Sequence, residues 1–432
     1  MAHRRTLLIA VLTYLLVLMG LLILDGALIA LALPLVLYLA ATVQFDLPEL
    51  QVTLSRRLSN HYQLPNKPAT VTLEIKNRGT ALEEIVIADV VPPGLEVEGD
   101  TSVLMSLPEG AGYSLTYQVK GPRGTYQFGS IRCLVRETFG LIKEDFRVQR
   151  SARLSVLPEV WNLRPIEIRP RRTRGFAGPI PSGKSGSGTD FFGVREYHTG
   201  DPRRWINWRI SARYPNRLFS NEFEQERIAD VGLILDARQR TNVSASNQSL
   251  FEHAIRATAA LASAFLEDGN RVGLLIYGRG LERTHPGYGK QQRRSIMQAL
   301  AHAQVGDSLV FDNLDYLPTR FFPSESQIVL VSPLCQDDPP VLTRIRARGY
   351  SVLVISPDPV DFEARVLESQ DRDFVPIARD LAELERGLWI KTLRRVGIPV
   401  VNWKVIDPLD NAIHSTLQRV PLGHLHGQNR PR

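Results

Sequence analysis

Two long apolar runs open the chain. From Leu7 to Leu24 no charged residue occurs, and after Asp25-Gly26 a second run extends to Val43. Each approaches the ~20 apolar residues that cross a hydrocarbon core, so the pattern predicts a transmembrane helical hairpin over residues 1–46. Asp25-Gly26 reads as its tight polar turn, and Pro34 is tolerable inside a membrane helix. The apolar region is too long for a cleaved signal peptide, and no small-residue cleavage site follows it. Arg4 and Arg5 precede the first run, and Arg56 and Arg57 follow the second. Excess Lys and Arg mark the cytoplasmic side, so both ends and the soluble body are expected to face the cytoplasm.

Beyond the hairpin the period changes to two. Over residues 50–160 segments such as "ATVTLEIKN" and "YSLTYQVKG" alternate apolar and polar positions, with Gly and Pro between them. That is the pattern of an antiparallel β-sandwich, a unit that binds partners or acts as a spacer. Residues 161–227 form a basic linker with thirteen Lys and Arg against seven Asp and Glu, most of the formal +7 of the chain. Trp205, Trp208, Phe191 and Tyr197 interleave with these charges, but no nucleic-acid module surrounds them, and no nucleic-acid partner is expected. From residue 228 to 410 near-uniform apolar strands such as "VGLILDA", "RVGLLIYG" and "SVLVISP" alternate with amphipathic helices. This predicts a doubly wound α/β domain with a parallel sheet, its functional edge at the strand C-termini. Residues 411–432 read as a C-terminal tail, polar and disordered at "HLHGQNRPR". The fold class expected is therefore mixed: hairpin, sandwich, then α/β domain.

Three constellations invite a chemical reading. "GPIPSGKS" at 178–185 matches the phosphate-loop pattern, with Gly183, Lys184 and Ser185 as its nucleotide-binding residues. A working loop follows a buried strand and opens a helix. Here "RPRRTRGFA" precedes it and Pro179 and Pro181 remove two backbone donors, so the match is chance. Asp236 ends the first α/β strand. In von Willebrand factor A-type domains an aspartate there begins D-x-S-x-S, oxygen ligands for a hard divalent cation. This chain has "DARQRT", which puts Arg238 and Arg240 where the serines would stand and leaves a degenerate site. His198 and His253 have no motif-defined nucleophile beside them, and no hydrolase motif occurs. The two cysteines, Cys133 and Cys335, fit neither a disulfide framework nor a metal site, in keeping with a reducing compartment or plain buried thiols. No cofactor and no catalytic residue is expected.

The most distinctive stretch is "GTDFFGVREYHTGDPRRWINWRISAR". Asp201 suits a helix N-cap and Pro202 the first helical position. Trp205, Trp208 and Ala212 then share one helical face, while Arg204 and Arg213 lie elsewhere and can pair with Glu196, Glu222 or Glu224. The stretch reads as a structural clasp or as a docking surface. It resembles the signature of domain-of-unknown-function family fifty-eight, whose members carry a similar run before a von Willebrand factor A-like domain. The matching positions are Phe191, Arg195, Tyr197, Gly200, Asp201, Arg204, Ile206 and Trp208. Upstream, "RETFGLIKE" is similar to the family's D-P-F-G-L segment, with Glu137-Thr138 in place of Asp-Pro. Such proteins are commonly encoded beside MoxR-type AAA ATPases and transglutaminase-like membrane proteins. The resemblance implies a non-enzymatic adaptor or scaffold in the bacterial inner membrane, with the bilayer and such an ATPase as partners in protein activation or complex assembly. A divalent-metal-dependent binding module, a nucleotide hydrolase and an extracellular adhesion module are the rival expectations.

Overall fold

The structure is a computed structural model. It describes residues 2–24, 26–44, 51–136, 143–166, 168, 173–174, 180–214, 216–245, 248–278, 280–306, 308–367 and 375–418. Glu137-Thr138 and residues 419–432 of the expected tail lie outside the described residues, whereas residues 411–418 of that tail belong to a helix. The chain divides into two units, Met1–Leu157 and Pro158–Arg432.

The first unit opens with helices α1 (Ala2–Ile23) and α2 (Gly26–Gln44). Among the described residues no helix is long and apolar enough to cross a membrane. This corrects the expected transmembrane hairpin and the multi-pass inner-membrane location built on it. The physical reason is length. From Leu7 to Ile23 the uncharged part of α1 rises only ~25 Å, against a hydrocarbon core of ~30 Å. The 19 residues of α2 rise only ~28 Å. The charge argument for orientation weakens as well. Arg56 is not a juxtamembrane charge but a buried one: its guanidinium and the Asp89 carboxylate pair at 1% and 0% side-chain exposure.

Nine strands follow: β1 (Val52–Leu58), β2 (Tyr62–Gln63), β3 (Ala69–Asn77), β4 (Leu82–Asp89), β5 (Glu96–Glu98), β6 (Ser102–Leu107), β7 (Gly112–Lys120), β8 (Gly124–Arg136) and β9 (Lys143–Val156). They form a four-stranded sheet ordered β1-β3-β7-β5 and a five-stranded sheet ordered β2-β9-β8-β4-β6. All pairs are antiparallel except the short β2–β9 contact. The period-two pattern is the cause, since alternate side chains of a strand point to one face. Leu73, Ile75 and Leu115 of one sheet share a buried cluster with Ile85, Ile87, Ile131 and Cys133 of the other. A second cluster joins Val71, Tyr117 and Val119 to Phe128 and Leu154. Beside it the Tyr117 hydroxyl donates to Asp89 at 2.6 Å. Burial, together with that carboxylate, pushes the Tyr117 phenol well above its ordinary range.

In the second unit, after β10 (Thr173–Arg174), a long strand β11 (Ile180–Glu196) leads to the short helix α3 (Trp208–Ser211). The strand β12 (Phe219–Asp236) pairs antiparallel with β11 over its first half and with β10 at Ile228 and Ala229, and its second half enters an α/β sheet. Then come a small hairpin β13 (Ser244–Ala245) and β14 (Gln248–Ser249), α4 (Leu250–Glu267), β15 (Arg271–Tyr277), β16 (Leu281–Gly287) and α5 (Gly289–His302). The chain continues with β17 (Gln327–Val331), α6 (Asp338–Ala347), β18 (Ser351–Pro357), α7 (Pro359–Leu367), α8 (Val375–Arg395), β19 (Val400–Trp403) and α9 (Leu409–Gln418). The sheet order is β16-β15-β12-β17-β18-β19, parallel except for β16. All five residues of β17 are buried, as a strand covered on both faces requires. Gly232, on the central strand, lets the Phe322 ring pack down: a Cβ there would lie 2.7 Å from the ring.

Candidate functional site

The carboxyl end of β12 carries a fully buried ion cluster. Asp236 is the last residue of that strand, and Arg238 starts the helical turn at 239–241. The Arg238 side chain turns back over its own strand. Its Nε and Nη2 donate to the Asp236 carboxylate at 2.9 and 2.7 Å. Its Nη1 and Nη2 donate to Asp338, at the start of α6, at 2.9 and 2.8 Å. All three side chains are 0% exposed. The Ser332 hydroxyl, just beyond β17, donates to Asp236 at 2.6 Å, and the Cys335 N–H donates to Asp338 at 2.7 Å. Two carboxylates on separate elements thus share one planar, forked cation, the geometry for which arginine is suited and lysine is not.

Burial works against the Arg238 charge, but the two carboxylates outweigh it and hold the guanidinium protonated. Burial also pushes the Asp338 carboxyl up, opposed by the hydrogen bonds and charge of Arg238. The neighbouring Cys335 thiol is driven to about 11, first by burial and then by Asp338. It is therefore a protonated, unreactive thiol at neutral pH. Arg240 lies outside this core, bridging to Asp337 at 2.8 Å. Beside it a cavity of about 270 Å³ is lined by Arg238, Arg240, Gly306, Ser308, Phe311 and Asp312. Among the described residues no group of three or more His, Cys, Asp or Glu is placed to hold a metal ion. At Asp236 the positive charge beside the carboxylate is the Arg238 guanidinium.

Arg386 of α8 makes a second buried knot at the same edge. Its Nη2 donates to the Ser356 hydroxyl and to Asn402 Oδ1, both at 2.8 Å. Its Nη1 donates to the Pro333 carbonyl, and Asp358 stands 3.6 Å from its Nε. Burial lowers the Arg386 pKa against the opposing charge of Asp358.

The signature residues gather where β11 and β12 pair. Arg195 bridges Asp201 at 2.8 Å and Glu222 at 2.9 Å. Asp201 does not cap a helix. It accepts from Arg195 and from the His198 N–H at 3.0 Å, and these bonds hold its carboxyl below the ordinary range. Tyr197 donates to the Asp201 carbonyl at 3.2 Å, and Gly200 turns the chain at φ 115°, a conformation a side chain resists. Glu196 pairs with Arg217 at 2.8 Å.

The expected continuous helix after Pro202 is absent. A helical turn at Arg203–Trp205 ends at Ile206, which bridges to Ser220, and Asn207 then caps α3 through the Ile210 N–H. The break puts the two tryptophans on different faces. Trp205 packs on Phe223 with ring centroids 5.5 Å apart, whereas Trp208 is 67% exposed. Phe191 is 63% exposed, and Arg204 and Arg213 also face solvent. Gly183, Lys184 and Ser185 sit within β11, an extended strand and not a loop that opens a helix; Ser185 pairs with Glu224, and the register shifts between Pro181 and Ser185. His198 is exposed. His253 packs edge-on to Phe362 and Trp403, with its Nδ1 buried and unpartnered.

Asp338 and Ser332 escaped the reading of the sequence. The only signal was "DDPP", where an aspartate before proline reads as an ordinary helix start.

The architecture is thus an antiparallel sandwich unit and an α/β unit with a closed, charge-compensated carboxyl edge. Residues 193–363 match the model of a family described as "Protein of unknown function DUF58", which supports that family for this segment. No match was found among curated proteins. Among solved structures, a CARDB domain from Pyrococcus furiosus aligns at 18% identity and TM-score 0.19, over 26% of this chain and 96% of that one. A FixG-related protein from Vibrio parahaemolyticus aligns at 13% identity and TM-score 0.18, over 24% and 95%. Likenesses of this size carry no argument about fold or function.

Proposed function

We propose that the protein is a non-enzymatic adaptor that engages a protein partner through the face carrying Trp208, Phe191, Arg204 and Arg213. The single observation behind this reading is that Phe191 on β11 and Trp208, Arg204 and Arg213 in the connection to β12 are all exposed. Trp and Arg are the residue types that dominate binding energy at interfaces. Arg195 bridges Asp201 and Glu222 and so braces the β11–β12 ribbon, which limits the ordering entropy lost on docking. The α/β unit, of the von Willebrand factor A-like kind, then works without a divalent cation, because Arg238 supplies the positive charge from within. The partner proposed is a MoxR-type AAA ATPase, which supplies the nucleotide hydrolysis.

The test is affinity capture of the tagged full-length protein, with and without ATP, read by mass spectrometry. Recovery of an AAA ATPase, lost in the Arg204→Ala/Trp208→Ala variant with unchanged circular dichroism, is the expected result. Recovery of no ATPase in any nucleotide state sinks the proposal.

A further inference from the structure

Between Pro202 and Phe219 every charged residue is an arginine: Arg203, Arg204, Arg209, Arg213 and Arg217 occur there, and no Asp, Glu or Lys does. All five are exposed. Arg217 is paired with Glu196 at 2.8 Å. The guanidinium groups of the other four form no ion pair with a described residue, although Arg195 on the adjoining strand takes both Asp201 and Glu222. Arg209 and Arg213 lie four residues apart on one turn, which the Ala212 and Arg213 N–H groups continue by donating to the Trp208 and Ile210 carbonyls at 3.0 Å. Like charges at that spacing repel and weaken a helix. This concentration of positive charge is therefore destabilising, and no carboxylate among the described residues offsets it.

The connection is nevertheless held in one shape. The Asn207 N–H donates to the Phe219 carbonyl at 2.8 Å, and its Nδ2 donates to Asn221 Oδ1 at 2.7 Å. The Ser211 hydroxyl accepts the Phe219 N–H at 2.9 Å. The four arginines are thus presented on a preformed surface, with the exposed rings of Trp208 and Tyr214 next to Arg209 and Arg213 in the chain. Charge complementarity selects an anion. A second copy meeting this patch with its own patch would set arginine on arginine. The guanidinium fork fits carboxylate and phosphate alike, so the neighbouring carboxylates decide between them. Asp201 directly precedes the patch, and Glu196 pairs in register with Phe219 at its other end. A nucleic acid, charged at every phosphate, or an anionic bilayer, charged throughout, is carried onto those carboxylates. A peptide can place its acidic residues opposite the arginines alone.

We propose that an acidic protein segment docks here, its Asp or Glu side chains gripped by Arg203, Arg204, Arg209 and Arg213 and an apolar side chain set against Trp208. The inference rests on the adaptor reading and specifies the chemistry of the partner's contact segment. The experiment titrates the full-length protein into a fluorescent oligoglutamate with leucine at every fourth position, read by anisotropy. Oligothymidylate of equal charge and phosphatidylserine vesicles are the competing probes. The peptide should bind, and Arg209→Glu or Arg213→Glu should each weaken it ~10-fold. Arg209→Lys keeps the charge and loses the fork, and should still weaken the peptide ~3-fold, a loss that non-specific attraction does not produce. Trp208→Ala should weaken it ~10-fold. Every substituted side chain is exposed, so circular dichroism should stay unchanged. Tighter binding of oligothymidylate or of the vesicles overturns the proposal, as does a peptide that fails to bind or is indifferent to Arg209→Glu and Arg213→Glu. An ATPase captured by a protein that ignores the peptide leaves the adaptor reading standing and this inference refuted. Peptide binding with the stated losses, and no ATPase captured, does the converse.

Discussion

Replacing Arg238 by Ser isolates the energetics of the closed carboxyl edge. The substitution deletes four charge-assisted hydrogen bonds, two to Asp236 and two to Asp338. What remains for Asp236 is the Ser332 hydroxyl at 2.6 Å and the backbone N–H of residue 238 at 3.0 Å. Asp338 keeps only the Cys335 N–H at 2.7 Å among those bonds. Both carboxylates are 0% exposed, so solvent screens neither. Removing one partner of such a buried cluster costs about 3–5 kcal/mol. At a urea slope of about 2–3 kcal/mol/M, the unfolding midpoint falls by roughly 1–2 M. All five tryptophans lie at residue 161 or later, inside the second unit, so their fluorescence reports that unit alone.

The pH dependence has a definite sign. Burial already pushes the Asp338 carboxyl up against the pull of Arg238, and without the guanidinium that pull is gone, so its folded-state pKa lies further above the unfolded one. The contribution of Asp338 is then present at low pH and is lost as pH rises through the folded value. The deficit of Arg238→Ser should therefore shrink between pH 7 and pH 5. Millimolar Mg²⁺ should also stabilise this variant, since Asp236, Asp338, Ser332 and the new serine offer hard oxygen ligands. The parent should not respond to Mg²⁺. The Asp236→Asn/Arg238→Met/Asp338→Asn variant should recover most of the loss. A variant within ~1 kcal/mol of the parent at pH 7, unmoved by acid and by Mg²⁺, refutes the reasoning.

Three further outcomes are expected. Arg386→Met removes donors from Ser356, Asn402 and the Pro333 carbonyl, and should cost about 2–4 kcal/mol in the same fluorescence melt. Gly278→Ala places a Cβ 2.2 Å from the Ala237 carbonyl oxygen, a backbone atom that cannot swing aside, and should cost about 3 kcal/mol or more. Gly232→Ala, which meets the Phe322 side chain at 2.7 Å, is the comparison and should cost less. His253 has its pKa lowered from the ordinary 6.5, first by burial and then by Arg256. Its contribution is present above that ordinary value and is lost as pH falls through the lowered one. Second-unit stability should decline on acidification below about pH 6.5, and His253→Phe should flatten that slope.

What the sequence disclosed depended on range. "ATVTLEIKN" announces β3 because a half-buried strand must alternate, and the burial of alternate residues follows from the chain itself. "QIVLV" announces β17 for the same kind of local reason. Asp236 and Arg238 could be singled out from the sequence. Their meaning could not be, because the partner that turns repulsion into compensation, Asp338, lies 100 residues away. The helix after Pro202 failed on a long-range contact too: Ile206 is drawn into a bridge with Ser220, which interrupts helical spacing that looked sufficient. Length misled at the N-terminus, where apolar composition was plain but the uncharged helical rise fell short of a bilayer.

One consequence of β12 concerns phase. The same unbroken strand runs from Phe219, beside the clasp, to Asp236, beneath Arg238. Its side chains alternate with a period of two, so the ribbon face and the sheet face are locked to one parity. Inserting one residue between Asn221 and Asp230 would present the back of the ribbon to whatever docks there, while inserting two would restore it. The face that the first half of β12 turns toward β11 is thus tied to the sheet by counting along one strand.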